Sequence, residues 1–342
     1  MRKNAFDVLR IFSAVQVMLL HFNAFFYQYN SAGHYKYREI VKMFPGVVIL
    51  FSLSGFLIAA SYEKSSSMRE FFQKRILRIY PPLWLCTIIN LIVLFFLGQN
   101  IFNKNILIWI CTQIVGTANT PSSLKEFATG SINGALWTIF TEIQLYVVLA
   151  FTYRKLKKMS TVGWSILGFV LLFCNLGAYF LQDIGYGIPK IIERLFLPYA
   201  LWFFIGVYLY IYRDAWIPRL RRMIWPLVIL FVLYKFSHIQ IIGYYTDIVT
   251  SICLPFITIG LAYKLGNIRI KPDLSYHLFL YHWIILNVLI YYRCFEVWNI
   301  TQSLLVFFAA SVGVSLFSYY LCSYLTGLWK RRITTIQSSS PL

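Results

Sequence analysis

Asp7, Arg10 and His21 lie on one stripe of an otherwise apolar opening segment. A helix turns about 100° per residue, so the eleven steps from Arg10 to His21 return to within about 20° of the same direction. Asp7 lies one turn before Arg10. The rest of Val8 to Phe26 is Leu, Ile, Val, Phe, Met and Ala with a few small polar residues. Ionisable groups in such a segment are costly; they face a bundle interior or a watery cavity and mark function. The chemistry they offer is acid–base and nucleophilic. A histidine can take a proton from a hydroxyl or carry an acyl group covalently. A neighbouring Arg–Asp pair can orient the helix or an anionic donor.

Other polar residues extend this set. Glu142, in LWTIFTEIQLYVV, is the acid that sits well inside an apolar stretch. Such a carboxylate either pairs with Arg10 for assembly or serves function, fixing the His21 tautomer or acting as a second base. His282 lies inside a late apolar stretch, SYHLFLYHW, with His277 near its entry. Lys235 and His238 read as snorkelling or interfacial groups, and His34 falls in a loop. Arg75 and Arg78 in KRILRIYPPLW are three apart and share a helix face. They suggest a short helix at the membrane mouth whose guanidinium groups grip phosphates in pairs of hydrogen bonds. In FSLSGFLI, Ser52, Ser54 and Gly55 form a small, polar patch. It serves either close helix packing or the passage of a narrow ligand beside the backbone.

The elements that must position these residues are membrane helices. The chain of 342 residues is 59% hydrophobic and 13% charged, against about 25% charged in soluble domains. Stretches of about 20 apolar residues, each long enough to span the hydrocarbon layer, recur along it. Ten are legible: 6–28, 44–62, 82–98, 132–153, 162–181, 191–212, 224–241, 246–263, 275–292 and 301–325. Segment 105–116 is too short for a span and reads as interfacial or re-entrant. With the N-terminus inside, 21 of the 31 Lys and Arg fall on inner segments and 8 on outer ones. The net charge of +19 is thus a topology signal, with both termini cytoplasmic, rather than a nucleic-acid footprint. The opening segment lacks a cleavage site and reads as a retained span. Six scattered cysteines indicate neither a disulfide framework nor a zinc site. No internal repeat of the transporter kind is visible.

Five of these segments, in one order, resemble the membrane acyltransferase-3 family, whose members O-acylate sugars and related acceptors. FDVLRIFSAVQVMLLH is similar to that family's Asp-x-x-Arg with a histidine eleven residues later. FSLSGFLI resembles its Phe-x-x-Ser-Gly-Phe segment through Phe51, Ser54, Gly55 and Phe56. KRILRIYPPLW resembles its Arg-x-x-Arg-Ile-x-Pro signature through Arg75, Arg78, Ile79 and Pro81. LWTIFTEIQLY supplies Trp137, Glu142 and Tyr146, with Thr138 and Leu145 where Ser and Phe are usual. LSYHLFLYHW supplies Ser275, Tyr276, Leu280 and His282, with Ile284 where Pro is frequent.

The resemblance implies an all-α polytopic bundle of about ten spans. It forms a single acyltransferase domain over 1–332, followed by a short disordered cytoplasmic tail, 333–342. It implies acyl-CoA, most often acetyl-CoA, as a donor substrate, with no permanently bound cofactor and no metal. The acceptor would be a cell-surface or lipid-linked saccharide, and the location a bacterial inner membrane. His21, Glu142, Asp7 and Arg10 then carry catalysis; Arg75, Arg78, Ser54 and Gly55 hold the donor. Trp137, Tyr146, Ser275, Tyr276 and His282 contact the acceptor. A secondary transporter or lipid-linked saccharide flippase is the alternative, since it too uses charges at mid-membrane.

Overall fold

The computed structural model describes residues 4–30, 38–117, 119–184, 188–239 and 241–339. His34 and residues 340–342 of the expected tail lie outside them. Among the described residues the structure is helical, without strands. The helices are α1 (Phe6–Tyr29), α2 (Arg38–Met43), α3 (Gly46–Glu63), α4 (Met68–Phe96), α5 (Lys104–Ile114), α6 (Trp137–Lys157) and α7 (Thr161–Leu181). They continue with α8 (Ile188–Arg194), α9 (Ala200–Ile211), α10 (Arg213–Phe236), α11 (Ile248–Lys264), α12 (Ser275–Tyr291), α13 (Cys294–Val297) and α14 (Ile300–Ser339).

Among the described residues each of the ten apolar stretches overlaps helix. Six helices among the described residues are long and apolar enough to cross a membrane: 6–29, 39–63, 68–96, 134–157, 161–181 and 300–327. Two shorter apolar helices, Leu197–Ile211 and Ile248–Lys264, accompany them. The stretch at 191–212 is not one helix. It divides into the end of α8, a short 3-10 turn at Leu197–Tyr199, and α9. Pro198 stands inside that turn, where its missing N–H costs least. Residues 105–114 of segment 105–116 fall in α5, with the Asn103 side chain capping the N–H of Ile106 at 3.0 Å.

The short helix expected to carry Arg75 and Arg78 is the first part of α4, which runs unbroken through Pro81 and Pro82. Internal prolines usually break a helix, because each removes a donor and crowds the carbonyl four residues earlier. Membrane helices tolerate them where neighbours occupy the local backbone groups. The i→i−4 donors that Pro81 and Pro82 remove are those to the carbonyls of Leu77 and Arg78. One residue further on, Tyr276 Oη donates to Ile79 O at 3.0 Å and ties α12 to this part of the helix.

The described residues gather into two compact units, each assembled from separated stretches of chain. The first comprises residues 1–20, 35–68 and 137–273. Its centre is the crossing of α3 and α9, which meet through glycine. A Cβ at Gly55 would lie 1.9 Å from Phe203 O, and one at Gly206 would lie 2.1 Å from Ser52 O. Only glycine permits backbones to approach so closely. The N-terminal end of α1 is tied into this unit by Ala5 N–H to Ala262 O at 2.7 Å. Gln16 accepts from Gly46 N–H at 2.7 Å and so caps α3. Lys235, expected to be a bland interfacial group, pairs with Asp247 at 3.0 Å. Asp247 in turn caps α11 through the Thr250 N–H.

The second unit comprises residues 21–34, 69–136 and 274–342. Its centre is α12, which is buried along most of its length and packs on α14. Phe22, Phe26, Phe295 and Phe307 interlock around the C-terminal part of α1. The segment between α5 and α6 folds over Leu94, Ile106 and Trp109. Its last residues, 129–136, are stitched to α12.

Candidate active site

In the second unit His21 meets His282. Nδ1 of His21 lies 2.9 Å from Nε2 of His282, and the rings are parallel with centroids 5.2 Å apart. The opposite nitrogen of His282, Nδ1, lies 3.2 Å from Leu278 O. A carbonyl only accepts, so His282 Nδ1 carries its proton. In a neutral ring Nε2 is then the acceptor, and His21 Nδ1–H is the donor. One consequence follows for His21: its Nε2 keeps a lone pair. The chain Leu278 O, His282, His21 thus fixes the tautomer that a general base or nucleophile requires. His282 is fully buried and His21 half-buried.

Several groups hold this pair in place. The Trp283 ring stands edge-on to His21, with centroids 4.7 Å apart. Trp283 Nε1 donates to Thr129 Oγ1 at 2.8 Å and to Ser131 O at 3.2 Å. Asn287 accepts from Thr129 Oγ1 at 2.7 Å and donates to the carbonyls of Ser131 and Ile132 at 3.0 Å. Asn133 donates to Leu280 O at 2.8 Å. A Cβ at Gly134 would meet the Trp283 ring at 2.4 Å, so only glycine leaves room for that indole. Residues 129–136 and α12 are therefore one assembly, with the histidine pair on it. Trp283, Asn287, Asn133 and Thr129 were not singled out from sequence. The available signal was a pair of Asn residues in or beside apolar stretches, Asn287 falling five residues after His282.

The first unit holds two further clusters. Glu142 Oε1 accepts from Ser54 Oγ at 2.5 Å and from Tyr146 Oη. The hydroxyls of Ser54 and Tyr146 are 3.1 Å apart. Three residues expected at the site from three roles thus share one hydrogen-bonded cluster on α3 and α6. Arg10 Nη1 reaches Asp273 at 3.1 Å and Asp7 at 3.6 Å. Its guanidinium is 14% exposed, so two carboxylates share one largely buried cation. Asp273 escaped the sequence reading because it reads as a loop acid beside Pro272. Glu142 accordingly takes hydroxyl donors, while the acids paired with Arg10 are Asp7 and Asp273. His21 likewise has His282, not Glu142, as the partner of its Nδ1.

The remaining expected residues fall into place less centrally. Gly55 faces the backbone of Phe203, a surrounding that fits the close-packing alternative for FSLSGFLI. Trp137 opens α6 and stacks near Tyr199, with centroids 4.8 Å apart. Ser275 is the buried first residue of α12, and Tyr276 ties α12 to α4 through Ile79 O. Arg75 is half-buried and Arg78 exposed, one helical turn apart on α4.

A family model described as an acyltransferase domain matches residues 3–323. Over 172 residues the chain is 30% identical to Nodulation protein 10 of Rhizobium leguminosarum bv. viciae, covering 47% of each chain. It thus spans about half the length of that relative. Over 304 residues it is 25% identical to an O-acetyl transferase of Shigella phage Sf6, covering 84% of this chain and 86% of the phage protein. No solved structure matches it. The match takes in all five motifs, the histidine pair and both carboxylate clusters, and the chain belongs to the membrane acyltransferase-3 family and is an acyltransferase.

Proposed function

We propose that this protein is an O-acetyltransferase that moves an acetyl group from cytoplasmic acetyl-CoA to a hydroxyl of a cell-surface or lipid-linked saccharide. It does so from a bacterial inner membrane, with about ten spans and both termini in the cytoplasm. The observation that carries this reading is the His21–His282 pair. Its hydrogen bonds leave His21 Nε2 able to accept a proton. As the acceptor oxygen attacks the thioester carbonyl, its proton passes to His21 Nε2. The C–O bond forms, the C–S bond breaks, and the same proton leaves on the CoA thiol. The name of the phage relative supports acetyl as the group and oxygen as its destination. The excess of inner Lys and Arg supports the orientation. Arg75 and Arg78 hold the donor's phosphates, a role suited to guanidinium forks.

The test is transfer of label from radiolabelled acetyl-CoA in membranes carrying wild type or His21→Ala. Both are normalised to protein amount and supplied with the host's surface-glycan fraction. Label reaches the glycan only with wild type. Equal labelling by both proteins removes His21 from the reaction.

A further inference from the structure

The C-terminal end of α6 opens onto a cavity of about 480 Å³. Arg154, Lys155, Lys157 and Lys158 line it, together with Tyr62, Tyr153 and Glu63. Glu63 is already engaged: it pairs with Lys157, lies 3.6 Å from Arg213 and accepts from Tyr210 Oη at 2.6 Å. Among the described residues no carboxylate pairs with Arg154, Lys155 or Lys158. Cations at a helix C-terminus complement its dipole and obey the inside rule. That explains their charge but not a second feature. Tyr153 is 4% exposed and lines the cavity, yet among the described residues its hydroxyl has no hydrogen-bond partner. A buried hydroxyl without a partner is costly. Three uncompensated cations and an orphaned donor around one cavity describe a receptor for an anionic oxygen.

Three residues further along the chain, at most about 11 Å from Lys158, begins a groove of about 180 Å³ between α7 and α9. Leu167, Leu171, Leu201, Phe204 and Ile205 give it apolar walls. Trp164 also lines it, is 8% exposed, and its indole N–H likewise has no partner among the described residues. A free phosphate has no use for such a groove. A phospholipid has use for both parts: a phosphodiester for the cations and Tyr153, an ester carbonyl for Trp164, and an acyl chain for the groove.

We infer that the α6–α7 end of the first unit is a binding site for an anionic phospholipid. The phosphate sits among Tyr153, Arg154, Lys155 and Lys158, and an acyl chain lies between α7 and α9. This site does not depend on the histidine pair or on the proposed reaction.

The experiment uses the purified full chain in detergent, offered phosphatidylglycerol or phosphatidylcholine, with retained lipid read by native mass spectrometry. Wild type retains the anionic lipid at least tenfold better, as expected for several basic groups near one headgroup. The Arg154→Gln, Lys155→Gln, Lys158→Gln triple variant retains both lipids alike. Tyr153→Phe, which keeps every charge and nearly all volume, retains severalfold less phosphatidylglycerol and serves if the triple variant is unstable. Trp164→Phe lowers retention of both lipids. Equal retention of the two lipids by wild type overturns the proposal, as does a preference that survives in the triple variant. Displacement of phosphatidylglycerol by millimolar inorganic phosphate or by CoA also overturns it, because the site would then belong to a soluble phosphate.

Discussion

His282 commits one nitrogen to Leu278 O and the other to His21, so in the proposed reaction its ring would act through His21. His282→Leu removes the acceptor for His21 Nδ1–H and frees that ring to change tautomer. A positioned base contributes about 10²- to 10⁴-fold. The expected outcome is a fall in kcat of about 10²-fold or more with donor KM unchanged, and partial rescue by His282→Gln, whose amide oxygen can accept. An unchanged kcat at normal abundance would detach the pair from catalysis. Glu142 is tested differently. Glu142→Gln keeps an oxygen for Ser54 and Tyr146 but loses the charge that roughly doubles the strength of such bonds. Activity drops about tenfold while the protein stays in the membrane at near wild-type amount. Loss of the protein itself would show that the cluster serves assembly. Sequence spacing identified His21 and Glu142 as expensive residues, but it paired neither correctly. Spacing along a helix reports direction around that helix only. It carries no information about which residue of another helix faces it.

At the scale of elements, the α3–α9 crossing shows how one motif glycine acts. Gly55→Ala places a methyl group 1.9 Å from Phe203 O, and the helices must separate. Overpacking of this kind costs about 1–3 kcal/mol, sometimes more. The thermal midpoint of detergent-extracted protein falls, or folded protein is lost. Gly177→Ala on α7 is the contrast, because nothing among the described residues lies within 4 Å of its added Cβ. It is neutral or stabilising, since alanine outranks glycine in a helix by about 1 kcal/mol. A uniform response of the two glycines would contradict the packing account. The same scale explains α4. Apolar and charged segments on either side of Pro81 and Pro82 read as two elements, because proline is the strongest local break signal. The helix nevertheless runs through both prolines as one element, with Tyr276 of α12 fastened to it at Ile79 O.

At the scale of the whole molecule, two predictions concern sidedness and donor entry. A phosphatase reporter inserted in 99–131 is active outside the cytoplasm, and one fused after residue 332 is silent, as 21 inner against 8 outer basic residues require. The reverse pattern would invert the topology. Arg75→Gln with Arg78→Gln raises donor KM at least tenfold and leaves protein abundance unchanged; an unaltered KM would free those groups from the phosphates. Composition, run length and charge asymmetry by themselves determined that the chain is a helical membrane protein and where most of its helices lie, while the five motifs carried the resemblance to its family. These are properties of local sequence, because a bilayer demands apolar length and internally satisfied backbone of every span. The tertiary structure alone decided that His282 is the partner of His21, that Asp273 completes the Arg10 cluster, and that Asn287 and Trp283 bind residues 129–136 to α12. Those pairings join residues more than 150 positions apart in the chain. They exist only because helix packing brings a particular donor within hydrogen-bond reach of a particular acceptor.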